Sequence, residues 1–161
     1  TINNNKTFNL QIFLNEECKD AINMSQFLKQ IEVQLSDVER IGHEGYVNGI
    51  SSIICKELQS IDDTKRPIHC SDVKRETLYI KHEDKWEKDH DKVKIDNIIK
   101  KVADKNYFKL QDWKTANPGY DDAFSKKSDD YGHIMISSFD GTKENREKVM
   151  KNIAKQVKID K

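Results

Sequence analysis

The apolar positions of the chain fall into a few well-phased segments separated by long polar stretches. Between residues 44 and 60, Tyr46, Val47, Ile50, Ile53, Ile54 and Leu58 recur at steps of three and four, which places them on one stripe of a helix. Gly45 and Gly49 would each weaken a helix interior by up to about 1 kcal/mol, so they point to close approach of another backbone or to a later helix start. A longer helix is predicted over 91–115, with Ile95, Ile98, Ile99, Val102, Ala103, Leu110 and Trp113 on its stripe and lysines outside. Asn117-Pro118-Gly119 ends it, because proline disfavours a helical residue before it and glycine permits a reversal. Residues 120–130 have no consistent period and read as a mobile loop. Ile134, Met135, Ile136 and Phe139 then form a short helix before Asp140-Gly141, and Val149, Met150, Ile153, Ala154 and Val157 mark a last helix over 143–158.

Toward the N-terminus, Phe8, Leu10, Ile12 and Leu14 alternate with mostly polar neighbours, the period of a half-buried strand, although Phe13 interrupts it. Asn15 is placed to cap a short helix through Ala21 or Ile22, Ser25 a helix carrying Phe27, Leu28 and Ile31, and Ser36 a turn through Val38 and Ile41. Pro67 excludes a helix interior, and beyond it Thr77, Leu78, Tyr79, Ile80 and Trp86 surround the polar turn His82-Glu83-Asp84-Lys85. This predicts a two-stranded β-hairpin at about 76–88. A lone hairpin is only marginally stable, so Leu78 and Ile80 are expected against a helix, with Tyr79 facing elsewhere.

The expected fold is therefore α+β: a mostly helical single domain over 8–161, with a central two-stranded hairpin. The polar opening Thr1-Ile2-Asn3-Asn4-Asn5, without a methionine, makes residues 1–7 read as the end of an Asn-rich linker in a longer protein. The length fits one ordinary domain. Hydrophobic and charged residues each make up 35% of the chain, so the core must come from those few patterned segments. Lys plus Arg equals Asp plus Glu, at 28 each, which removes the long-range attraction to nucleic acid that a strongly basic domain has. Cys18, Cys55 and Cys70 are odd in number and widely spaced, which fits a reducing, intracellular compartment better than a disulfide framework. No window holds the roughly 18 consecutive apolar residues of a membrane span, so no membrane partner is expected.

Chemistry is weakly signalled. His69 and Cys70 are adjacent, and His82 and His90 flank the hairpin, but neighbours on an extended strand point to opposite faces and would not readily share a metal ion. Cys70 with His69 and Asp72 has the parts of a catalytic triad in the wrong form, since triads are assembled from distant segments. Gly42, Gly45 and Gly49 lack the spacing and the Lys-Ser/Thr pair of a phosphate loop. No catalytic residue, metal or cofactor is expected, and the reading is a non-enzymatic module for protein interaction or self-association. The alternative is a nucleic-acid-binding domain. In it, Lys65, Arg66, Lys74, Arg75, Lys81 and Lys85 would hold phosphates while His69, Tyr79 and Trp86 stack on bases. Acidic residues dilute that segment to a net charge of only about plus two over 65–88, as cross-strand ion pairs on a solvated hairpin also would.

The run Lys65-Arg66-Pro67-Ile68-His69-Cys70-Ser71-Asp72-Val73-Lys74-Arg75-Glu76, with Leu78-Tyr79-Ile80-Lys81 and Lys85-Trp86-Glu87-Lys88-Asp89, resembles a module of giant nucleocytoplasmic DNA viruses. Phe8-Asn9-Leu10-Gln11-Ile12-Phe13-Leu14-Asn15-Glu16, Cys18-Lys19-Asp20-Ala21 and Gly45-Tyr46-Val47-Asn48-Gly49-Ile50 extend the likeness over most of the chain. The module lies in the C-terminal part of proteins many of which carry a zinc-finger name from a separate N-terminal finger. The resemblance implies a viral origin, a C-terminal place in a larger protein, and a location in the host cytoplasm or the virion. It implies no catalytic residues. Partners expected on these grounds are a second copy of the chain, as a dimer, and other viral or host proteins. Phe8, Leu10, Ile12, Phe13 and Leu14 are too apolar for the end of a polar linker, so they are expected to be covered either by their own hairpin or by exchange with that second copy.

Overall fold

The structure, a computed structural model, describes residues 7–161; all of the expected linker except Thr7 lies outside the described residues. The helices are α1 (Leu10–Ile12), running on into a π-helical turn at Phe13–Glu17, then α2 (Met24–Gln30), α3 (Leu35–Glu44), α4 (Tyr46–Gln59), α5 (Val93–Ala116), α6 (Lys126–Ser138) and α7 (Lys143–Gln156). The strands are β1 (Ile68–Asp72), β2 (Thr77–His82) and β3 (Lys85–Lys88). The α+β class and the dominance of helix are as the periodicities require.

α5 buries Ile95, Ile98, Ile99, Val102, Asn106, Leu110 and Trp113, a stripe at three- and four-residue steps. Its first turn is held from outside the helix: the buried carboxylate of Asp89 accepts from Lys94 N at 3.0 Å and Ile95 N at 2.9 Å, satisfying amides that have no helical partner. α3 lies against α4, α5 and α6, and α4 lies also against α5 and α7. Both explanations of the glycine pair hold. Gly45, at φ 90°, is the hinge between α3 and α4, so α4 starts after it. Gly49 lies inside α4, where a Cβ would run into the Ile41 side chain and stand 3.0 Å from Ile41 Cα. Gly49→Ala should therefore destabilise the chain by about 1–2 kcal/mol despite alanine's better helix propensity, because the two backbones must separate. Urea denaturation checks this, and a midpoint at or above the parent's contradicts it.

The sheet has three strands in the order β1-β2-β3, one more than the expected hairpin. β2 and β3 are that hairpin, with the turn at Glu83 and Asp84, both at positive φ. Such a turn normally uses Asn or Gly. Here Asn23 ties it down, donating to Asp84 Oδ1 at 2.9 Å and accepting from Asp84 N at 2.8 Å. β1 was hidden by its proline and by a register shift between Cys70 and Asp72. The pairs Ile68↔Ile80 and Cys70↔Leu78 form the core face of the sheet. His69, Tyr79 and Lys81 lie on the opposite face.

The expected strand over Phe8–Leu14 is a helix. Leu10, Phe13, Leu14 and Cys18 also recur at helical steps, and these are the residues turned inward, whereas Ile12 is 49% exposed. Asn9 caps the segment, accepting from Ile12 N at 3.1 Å, and Cys18 N donates back to Phe13 O at 2.9 Å in the π turn. The helix expected to begin at Asn15 is part of this turn, and α2 starts after Asn23 rather than at Ser25. Residues 120–130 are not all loop. Ser125 caps α6, accepting from Ser128 N at 3.1 Å, so the helix begins well before Ile134.

Candidate interaction surfaces

The expected basic and aromatic surface is divided between solvent and interior. His69 is 3% exposed, and its ring lies 5.1 Å from that of Phe13 and 5.5 Å from that of Trp86. Phe8 stands 5.8 Å beyond Phe13. The N-terminal helical segment thus covers part of the outer face of its own sheet, and of the rings that were to stack on bases His69 meets its Phe13 side chain. Trp86 Nε1 donates to Cys18 O at 3.3 Å. Lys81 is buried, and its Nζ donates to Lys19 O at 2.8 Å and Ala21 O at 2.7 Å, holding the chain end of the π turn to β2. Arg66 Nε donates to Leu58 O at 2.8 Å and Ile61 O at 3.1 Å, while its Nη1 pairs with Asp63 at 2.9 Å. Of the nine residues, Lys65, Lys74, Arg75 and Lys85 are exposed to solvent, and Tyr79 is half-buried.

β1 separates His69 from Cys70, which points into the core. The thiol that does meet His69 is Cys18, with Sγ 3.6 Å from Nε2 across 51 residues of sequence. Burial, reinforced by Glu17, pushes the Cys18 thiol up to about 11. Burial and then the Arg66 cation pull His69 down to about 4. Both shifts favour the neutral forms, the reverse of the thiolate and imidazolium that a nucleophilic pair needs. The geometry is that of a packed contact. Among the described residues, no group of three or more His, Cys, Asp or Glu side chains is placed to hold a metal ion.

Two open surfaces among the described residues carry an argument for binding. The first is a groove assembled where the chain after α7 returns to the sheet. Cys70 N donates to Val157 O at 2.9 Å and Ile159 N to Cys70 O at 3.0 Å, so this segment bridges in parallel to the free edge of β1. It brings Lys158 and Lys161 beside Lys74, Arg75 and Lys88 along a groove of about 820 Å3. A second groove of about 260 Å3 shares Val73 and Lys74 with the first and adds Lys151 and Lys155 of α7. The carboxylates along the two are Asp72, Glu76 and Asp160. Sequence reasoning found Lys74 and Arg75 but not the α7 lysines, because only the edge bridge brings them there.

The second surface is apolar. Tyr107 and Phe108 of α5 fall out of phase with that helix's buried stripe. Phe108 is 72% exposed, and the Tyr107 ring lies 6.0 Å from Phe108 and 5.6 Å from Phe139 at the end of α6. Ile136, one turn before Phe139, is 78% exposed and Phe139 is 66% exposed. The phase of α5 carried this signal in the sequence, since aromatic residues outside the stripe of a helix must face solvent or a partner. Among the described residues no helix is long and apolar enough to cross a membrane. No family model, curated protein or solved structure matches the chain.

Proposed function

We propose that the chain is a non-enzymatic association module that pairs with a second copy of itself through the aromatic surface of α5 and α6. The observation that carries this reading is the contiguous, exposed set Tyr107, Phe108, Ile136 and Phe139, which joins two neighbouring helices into one apolar patch. Aromatic side chains of this kind supply the central anchors of protein interfaces. Two features favour a second copy as the occupant. The formal net charge is zero, so two copies approach without mutual repulsion. The rim carries both signs, with exposed Lys101 and Asp104 on the Phe108 side of α5 and exposed Asp140 after Phe139. A two-fold axis through the patch would set these charges against one another.

The N-terminal segment is a weaker candidate for the interface, because Leu14 and Phe13 already have partners in their own chain. In line with the viral resemblance, the dimer would be the form in which the parent protein meets other viral or host proteins. Sedimentation equilibrium over a concentration series checks the reading. A monomer–dimer equilibrium with a micromolar Kd is expected, and a monomer persisting to about 200 µM would sink it, since that leaves under about 5 kcal/mol of association free energy.

A further inference from the structure

We infer that the groove between the β1–β2 turn and the segment after α7 holds the phosphate backbone of a duplex nucleic acid without reading its bases. The chain as a whole is electrically neutral, yet the side chains lining the two adjoining grooves set seven cations against three carboxylates, a local balance of plus four. Two of those carboxylates are already engaged. Glu76 pairs with Lys92 at 3.5 Å, and Asp72 accepts from Arg75 N at 3.2 Å with Arg75 Nε 3.8 Å away. Among the described residues, Lys74, Lys88, Lys151, Lys155, Lys158 and Lys161 form no ion pair. Cations concentrated in a concave surface focus a positive potential that counterion release turns into affinity for a polyanion.

The form of the groove selects among anions. It is open, and its lysines stand on a turn, a strand end, a helix and the following segment, so they match several phosphates in a row rather than one enclosed phosphate. Among the described residues no aromatic side chain lines either groove: His69 packs between Phe13 and Trp86, and the Phe8 ring, 5.7 Å from Lys161 Nζ, also meets Phe13. Without a stacking platform a single strand has no advantage, and a duplex offers the denser array of phosphates. This site is separate from the α5–α6 patch, so either can fail alone.

Fluorescence anisotropy of the whole chain with a labelled duplex of about 20 base pairs tests the inference, at ionic strengths from about 50 to 200 mM. With about four phosphates neutralised, affinity should fall roughly a hundredfold over that range. The exposed triple variant Lys74→Glu/Lys155→Glu/Lys158→Glu should lose at least about tenfold and flatten the salt dependence, and the neutral Lys→Gln set at the same positions should lose less. Lys29→Glu/Lys126→Glu, which lies on neither groove, should change affinity by less than about threefold. No binding at low salt overturns the inference, as does an equal loss in the groove and control variants. A single strand bound at least about tenfold tighter than the duplex would overturn it too, since that requires base stacking. Anionic vesicles bound more tightly than the duplex at equal phosphate would point to a membrane surface and overturn it as well.

Discussion

Between about pH 7 and pH 4 the chain should lose about 3 kcal/mol of stability through His69 alone. In the unfolded chain this imidazole titrates near its ordinary value of 6.5, whereas in the fold burial, and secondarily the Arg66 cation, hold it near 4. The unfolded state therefore binds a proton first as pH falls. The stability is fully present above 6.5, declines as pH drops through the window, and is gone once the folded form also protonates near 4. Phe13 and Trp86 face the ring and Cys18 Sγ stands 3.6 Å from its Nε2, while Asp63, through its charge and a backbone hydrogen bond, favours the charged form without offsetting the burial. Carboxylates add their own acid sensitivity. Asp96 is one: burial pushes it up, but the hydrogen bonds and charges of Arg146 and Lys100 outweigh this and hold it below its usual range. The useful comparison is thus the parent against His69→Phe, which keeps a ring against Phe13 and Trp86 and cannot titrate. Urea denaturation at the two pH values should give a parent that loses about 3 kcal/mol more than the variant; parallel losses would mean that the His69 ring is hydrated in the folded chain.

Trp113→Ala should destabilise the chain by about 3–5 kcal/mol, a large share of the roughly 5–15 kcal/mol that holds a domain of this size together. The indole is fully buried where α3, α5 and α6 meet, and it stacks on Tyr131 of α6 at 6.3 Å between centroids and 18° between planes. Tyr131 in turn meets Tyr120 at 5.2 Å, and Lys114 Nζ stands 5.3 Å from the Tyr131 ring. Alanine removes the apolar surface and leaves a cavity that this layer cannot close without moving α6. The lost hydrogen bond matters less, because Trp113 Nε1 reaches Glu39 at 3.3 Å and Glu39 is exposed to water. Since α6 carries Ile136 and Phe139, the same variant should also weaken self-association. A loss under about 1 kcal/mol in urea denaturation would show that the layer collapses around the gap, contrary to the packing described.

The helices α4, α5 and α7 were legible because each buries a stripe at helical spacing, and that spacing survives whatever the partner helix is. The turn at Glu83-Asp84 was legible from its polarity, and the glycine at position 49 from its propensity penalty. The first two turns of α6 escaped because the helix fully buries only Ile134, with Tyr131 and Met135 half-buried, so they look like solvated loop until Ser125 is recognised as a cap. The N-terminal segment misled because Phe8, Leu10, Ile12 and Leu14 satisfy period two while Leu10, Phe13, Leu14 and Cys18 satisfy the helical period. Only the sheet face they cover decides between them. The burial of part of the candidate surface around residues 65–88 was hidden for a similar reason. A sequence reports that Lys81, Arg66 and His69 are polar, but the backbone carbonyls of residues 19 and 21 draw in Lys81, those of residues 58 and 61 hold Arg66, and the rings of Phe13 and Trp86 enclose His69.

Comparing two surface variants in sedimentation equilibrium bears most directly on the central claim. Phe108→Glu/Phe139→Glu places a carboxylate on each side of the α5–α6 patch, at positions 72% and 66% exposed in the single chain, so the fold should tolerate both. Ile12→Glu does the same to the exposed side of the N-terminal segment. Self-association through α5 and α6 predicts that the double variant is monomeric at concentrations where the parent is dimeric, a loss of at least about a hundredfold, while Ile12→Glu remains dimeric. A double variant that dimerises as the parent does, or a dimer abolished by Ile12→Glu alone, would contradict it.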